Sequence, residues 1–114
     1  MEDQANKENW NFQKSKIVYN LNFVYQSGLV EFLIEYFNNP KAIILFGSYS
    51  IGEDIESSDI DIVILSKVKK EIEFSAIEGI LQRKINSMII SDINQLDKNI
   101  KNKVMNGITL YGAV

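Results

Sequence analysis

The sequence predicts a small α/β (α+β) domain in which helices cover a sheet, and three observations carry that expectation. Residues 42–46 are a short apolar run with β-branched Ile43 and Ile44, the pattern of a covered strand, and residues 85–90 read as a further strand. Leu29, Val30, Leu33, Ile34 and Phe37 recur at helical spacing, as do Ile93, Leu96, Ile100 and Val104. The 114 residues, 46% hydrophobic and 24% charged, suit one packed core and are too few for two.

Taken in order, the elements begin with a polar arm over residues 1–14, where Trp10 and Phe12 are the large apolar groups. Ile17, Tyr19, Leu21, Phe23 and Tyr25 then alternate with mostly polar neighbours, which reads as a half-buried strand over 16–25. An N-terminal arm is thus expected over 1–26, ahead of a domain over 27–114. Ser27 and Gly28 open an amphipathic helix that Asn38, Asn39 and Pro40 stop. A central strand over 42–46 ends at Gly47 and Ser48.

A second strand is expected over 58–65, with Ile60, Ile62 and Ile64 on one face and Asp59, Asp61, Val63 and Leu65 on the other. Phe74, Ile77 and Leu81 place a helix within 70–83, slightly weakened by Gly79, and a third strand covers 85–90. Asp92 is placed to cap a last helix that Gly107 ends, and residues 108–111 add a short edge strand.

Composition removes several kinds of chemistry. With no cysteine there is no disulfide framework, thiolate zinc site or cysteine nucleophile. With no histidine, the commonest general base and metal ligand is absent too. Carboxylates, hydroxyls, lysines, backbone amides and bound ions remain. The net charge of −3 argues against a free-standing binder of duplex nucleic acid. No apolar run has the length of a signal peptide or membrane span, so the expected location is cytoplasmic, with no membrane partner.

The informative stretch is Leu45-Phe46-Gly47-Ser48, followed by Ser58-Asp59-Ile60-Asp61. Residues two apart in a strand point the same way, about 6 to 7 Å apart, so Asp59 and Asp61 can converge on one cation. Two fixed carboxylates repel unless a cation lies between them, and Mg²⁺ commonly takes one or two carboxylates plus phosphate oxygens. Gly47 lets the backbone approach such a phosphate closely. If Ser48 begins a short helix, its amides and hydroxyl face phosphate oxygens. Glu53, Asp54 and Glu56 read as a solvated acidic loop, with Gly52 a loop residue at positive φ. Lys67, Lys69, Lys70, Lys98, Lys101 and Lys103 read as solvated surface, and Tyr36 and Tyr111 as core-edge residues.

Gly47-Ser48, ten intervening residues and then Asp59-Ile60-Asp61 resembles the signature of the DNA polymerase beta-like nucleotidyltransferase superfamily, and of its minimal nucleotidyltransferase branch in particular. The similarity runs from Leu29 to Tyr111. It implies a mixed sheet flanked by helices, with Asp59 and Asp61 as catalytic ligands of Mg²⁺ or Mn²⁺. It implies ATP or another nucleoside triphosphate held at Gly47 and Ser48. The implied reaction moves a nucleoside monophosphate, commonly AMP, to a hydroxyl or phosphate acceptor and releases pyrophosphate.

The chain departs from the resemblance at one position: active members carry a third carboxylate on the later strand, where Asn86 stands here. An amide cannot carry the charge that helps hold the metal or accept the acceptor's proton. A catalytically weak or inactive nucleotide-binding or partner-binding module is therefore the alternative to an enzyme. Relatives of this branch often pair with a HEPN-type partner protein, some as antitoxin to toxin. Others carry an N-terminal winged helix, and residues 16–25 resemble the tail end of its wing. A strand there is also a pairing edge for a homodimer.

Overall fold

The computed structural model describes residues 4–114, with side chains from Asn9 onward. Four helices, α1 (Gln4–Gln26), α2 (Leu29–Tyr36), α3 (Ser75–Leu81) and α4 (Lys98–Met105), accompany four strands: β1 (Ala42–Phe46), β2 (Ile60–Leu65), β3 (Ile85–Ile90) and β4 (Ile108–Gly112). Short 3-10 helices occupy Ser48–Ile51 and Ile93–Gln95. The strands form one mixed sheet in the order β3-β2-β1-β4. β1 runs antiparallel to β2 and β4, and β2 parallel to β3. The α+β class and the edge position of 108–111 are as the sequence implied.

The alternation of β2 divides the core. Ile60, Ile62 and Ile64 join Ile43 and Leu45 on one face, under Val24, Leu29, Leu33 and Leu81 from α1, α2 and α3. Val63 and Leu65 join Ala42, Ile44 and Ile90 on the other, under Val104 of α4 with Ile93, Leu96 and Ile100. Strands covered on both faces explain why β1 and most of β2 read as continuous apolar runs. Asp61 takes the second face at the uncovered end of the sheet, where Phe46 is its partner on β1 and Asn86 its partner on β3.

The expected strand over 16–25 is instead the second half of α1. The decisive residues are Asn20 and Val24, which are buried, whereas Tyr19 and Tyr25 of the alternating set are 65% and 46% exposed. Ile17, Asn20 and Val24 share one helical face, and a polar buried Asn20 in that stripe concealed its period. The segment therefore offers neither a wing strand nor a strand edge for dimer pairing. Ser27 closes α1 by donating its hydroxyl to the Val24 carbonyl at 2.6 Å.

Two other expectations shift by a turn or more. The helix within 70–83 starts at Ser75, because Lys70 lies over the Tyr36 ring and donates to the Tyr36 carbonyl, and Tyr36 in turn donates to the carbonyl of Glu71. Asp92 caps the Ile93–Gln95 turn, accepting from the Asn94 amide at 2.8 Å. Leu96 is extended, so α4 starts afresh with Asp97 accepting from the Ile100 amide at 3.0 Å. Ile93, Leu96, Ile100 and Val104 nevertheless cover one sheet face from these two pieces. No described helix is long and apolar enough to cross a membrane.

Ile62 is fully buried at the centre of the sheet. Ile62→Ala should lower unfolding free energy by about 3 kcal/mol, read as a lower urea midpoint with unchanged slope.

Candidate active site

β1 delivers the chain to Gly47, whose φ of 75° and ψ of −166° suit glycine. The reason lies across the sheet: a Cβ on Gly47 would lie 2.3 Å from Oδ2 of Asp61. Backbone and carboxylate thus touch at the first turn of the site. The chain then enters the Ser48–Ile51 turn, closed by the Ser50 hydroxyl donating to the Gly47 carbonyl at 2.7 Å. Ser48 begins that turn, as expected.

Asp59 directly precedes β2 and Asp61 is its second residue, both half-buried. The parallel register sets Asn86 beside Asp61. Its Nδ2 donates to Oδ2 of Asp59 at 2.9 Å and to Oδ1 of Asp61 at 3.2 Å. Oxygens of both carboxylates therefore face one point, which a single amide nitrogen reaches. Among the described residues, the ion pairs all go to Asp54, leaving Asp59 and Asp61 without a basic partner. A divalent cation fits this donor set: two oxygens converge where an N–H now lies, and half a turn about χ2 would present the Asn86 oxygen instead. No group of three or more acidic, histidine or cysteine side chains surrounds the point among the described residues.

Beyond Gly47 the wall continues into a cleft of about 430 Å³, lined by Gly47, Ser48, Ile51 and Glu53 and by Asn102 and Lys103 of α4 with Asn106, its C-cap residue. The four expected site residues thus occupy one end of the sheet: Asp59 and Asp61 at the convergent point, Gly47 against Asp61, and Ser48 at the mouth of the cleft.

Sequence reasoning missed the support behind this arrangement. Asp54, expected to be solvated, is 2% exposed. It accepts from Asn20 Nδ2 at 2.9 Å and from Arg83 Nη2 at 3.0 Å, and Lys16 Nζ lies 3.4 Å from its Oδ1. Asn20 also donates to the Tyr49 carbonyl at 3.1 Å, and Arg83 to the Ser58 carbonyl at 3.2 Å. The cluster therefore grips the loop one residue after Ser48 and one residue before Asp59. Burial by itself raises the Asp54 carboxyl, but the hydrogen bonds from Asn20 and Arg83 and the charge of Lys16 outweigh it and hold the group below its ordinary value. Reading residues 16–25 as a helix would have placed Asn20 among apolar neighbours, and that was the available signal. Glu53 and Glu56 are exposed, and Gly52 has a φ of 72°, both as expected.

With the geometry established, the polymerase beta nucleotidyltransferase family is found to match residues 28–113, well over half of the chain. The chain belongs to this family. Membership carries nucleotidyl transfer as its general reaction. Among solved structures, the chain is similar to a nucleotidyltransferase candidate from Sulfolobus solfataricus at 19% identity and a TM-score of 0.49, covering 88% of this chain and 86% of that one. No curated protein matches. Asn20 and Lys16, which hold the site loop, lie ahead of the residues that this nucleotidyltransferase family matches.

Asp54→Ala should cost about 2 to 3 kcal/mol, the low end for a broken buried pair because Lys16 and Arg83 keep some access to water. The depressed carboxyl contributes stability that is complete at neutral pH and is lost as pH falls below about 4. Urea midpoints measured from pH 7 down to 2.5 should therefore fall less steeply in Asp54→Ala than in the unaltered chain. Gly47→Ala should displace the Asp61 carboxylate, read as a shifted Asn86 side-chain amide resonance in a chain still folded by circular dichroism.

Proposed function

We propose that the chain is a Mg²⁺-dependent nucleotidyltransferase that moves AMP from ATP to a hydroxyl acceptor, with a partner protein as the acceptor's source. The convergence of the Asp59 and Asp61 carboxylates on one point beside Gly47 carries this reading. In it, Asp59 and Asp61 hold the metal, with Mn²⁺ able to substitute. Bound Mg²⁺ supplies neutralisation of phosphate charge.

The chain's own residues position the substrate. Gly47 and Ser48 line the cleft in which the phosphate oxygens lie, and the Ser48 hydroxyl donates to one of them. The acceptor oxygen forms a bond to the α-phosphorus, the bond to the β-phosphate oxygen breaks, and pyrophosphate leaves with that electron pair. The acceptor's proton passes to water, because Asn86 cannot take it. Positioning and charge carry the rate. The proposed setting is the cytoplasm, and a HEPN-type protein is the first acceptor to try.

A second reading rests on Asn86. Its amide donates to both carboxylates and satisfies them without a cation, which suits a nucleotide- or partner-binding module with weak or absent turnover. One experiment separates the two: labelled ATP and Mg²⁺ are incubated with the chain and a candidate partner. Transfer that disappears in the Asp59→Asn, Asp61→Asn double variant supports the enzyme, and transfer that persists in it sinks the site assignment. If the unaltered chain is silent and Asn86→Asp gains transfer, the binding module stands. In a chain that is already active, the added base should raise the rate by about a hundredfold.

A further inference from the structure

The site's parts follow one another in space: the carboxylate pair, then Gly47 against Asp61, then Ser48, then the cleft that Gly47 and Ser48 share with α4. A triphosphate with its α-phosphate at the carboxylates and its chain on Gly47 and Ser48 has its remaining phosphates directed into that cleft. Lys103 is the one basic side chain on the cleft wall among the described residues and Glu53 the one acidic, so the phosphate end is placed on the α4 side of the cleft, with Lys103. Asn102 of α4 and Asn106, the C-cap residue of that helix, stand on the same wall, and their side-chain amides are donors. The wall is rigid. Val104 is 1% exposed in the core, and a Cβ on Gly107 would lie 2.4 Å from the Leu45 carbonyl, so the end of α4 sits directly against β1.

We propose that Lys103, with Asn102 and Asn106, forms the subsite for the distal phosphates of the triphosphate and for the departing pyrophosphate. The proposal rests on the nucleotidyl-transfer reading of the carboxylate pair and adds to it a cation supplied by the chain itself. A phosphate end beyond reach of the carboxylate-bound metal needs a positive partner, and charge-assisted hydrogen bonds are the strong means of holding it. A lysine in the last turn of a helix also offsets the helix dipole. That role moves stability and not ligand affinity, so the test reads affinity.

Isothermal titration of the full chain with Mg²⁺ and either ATP, inorganic tripolyphosphate or AMP makes the test. Lys103→Ala should weaken ATP and tripolyphosphate about tenfold, leave AMP unchanged, and keep the thermal midpoint near that of the unaltered chain. Lys103→Arg should restore most of the affinity. Equal loss for AMP and ATP would assign Lys103 to the nucleoside and overturn the proposal, as would unchanged tripolyphosphate affinity in Lys103→Ala. Binding that Asp59→Asn with Asp61→Asn removes but Lys103→Ala leaves intact sinks the Lys103 subsite alone. An unaltered chain that binds neither ATP nor tripolyphosphate overturns the nucleotide site as well.

Discussion

The buried Asp54 carboxylate is the interaction on which the site depends. The loop between Ser48 and Asp59 has little regular structure beyond one 3-10 turn, and such a segment would not by itself hold its two ends in register. Asp54 turns inward and takes hydrogen bonds from α1 and from the approach to β3. The two donors each make one further bond, at Tyr49 and Ser58, and so fix the Ser48–Ile51 turn and the entry to β2 together. A buried carboxylate is tolerated only because it is fully partnered. The same requirement draws α1 onto the domain.

The sheet does the remaining work. Strand register, not sequence proximity, brings Phe46, Asp61 and Asn86 into one row across β1, β2 and β3. The row sits at the end of the sheet where the helices no longer cover it, so polar groups gather there without burial cost. Glycine at position 47 follows from the row, because Asp61 occupies the space a side chain would need. Asn86 gives the arrangement its particular character. Where a third carboxylate would add a further repelling charge, an amide donor instead ties the two carboxylates together, which favours a preformed arrangement.

Much of this was legible in the residues. The apolar run of β1, the alternation of β2 and the stripe of α2 are clear patterns, and the Gly-Ser and Asp-x-Asp pairs stand at the strand ends where the structure has them. The failures have one cause, that the period of a mixed polar and apolar segment does not declare which residues tertiary contacts will bury. Tyr19, Phe23 and Tyr25 suggested a strand through their spacing, yet Asn20 and Val24 carry the buried face. Asp54 looked like its exposed neighbours because its partners Lys16 and Arg83 are distant in sequence and nothing local marks them. Lys103 looked like any helical lysine.

The sequence by itself determined the family, the class of fold, the strand ends that carry Gly47, Ser48, Asp59 and Asp61, and the absence of a third carboxylate at Asn86. These are properties of local pattern and residue chemistry, which need no partner to be read. The tertiary structure alone decided that α1 is a helix bound to the site loop, that Asp54 is its buried anchor, that Asn86 bridges the carboxylates, and that α4 brings Lys103 to the cleft. Each of these depends on which distant residues share a face or a hydrogen bond, and long-range packing, unlike periodicity, leaves no mark in a single chain's order of residues.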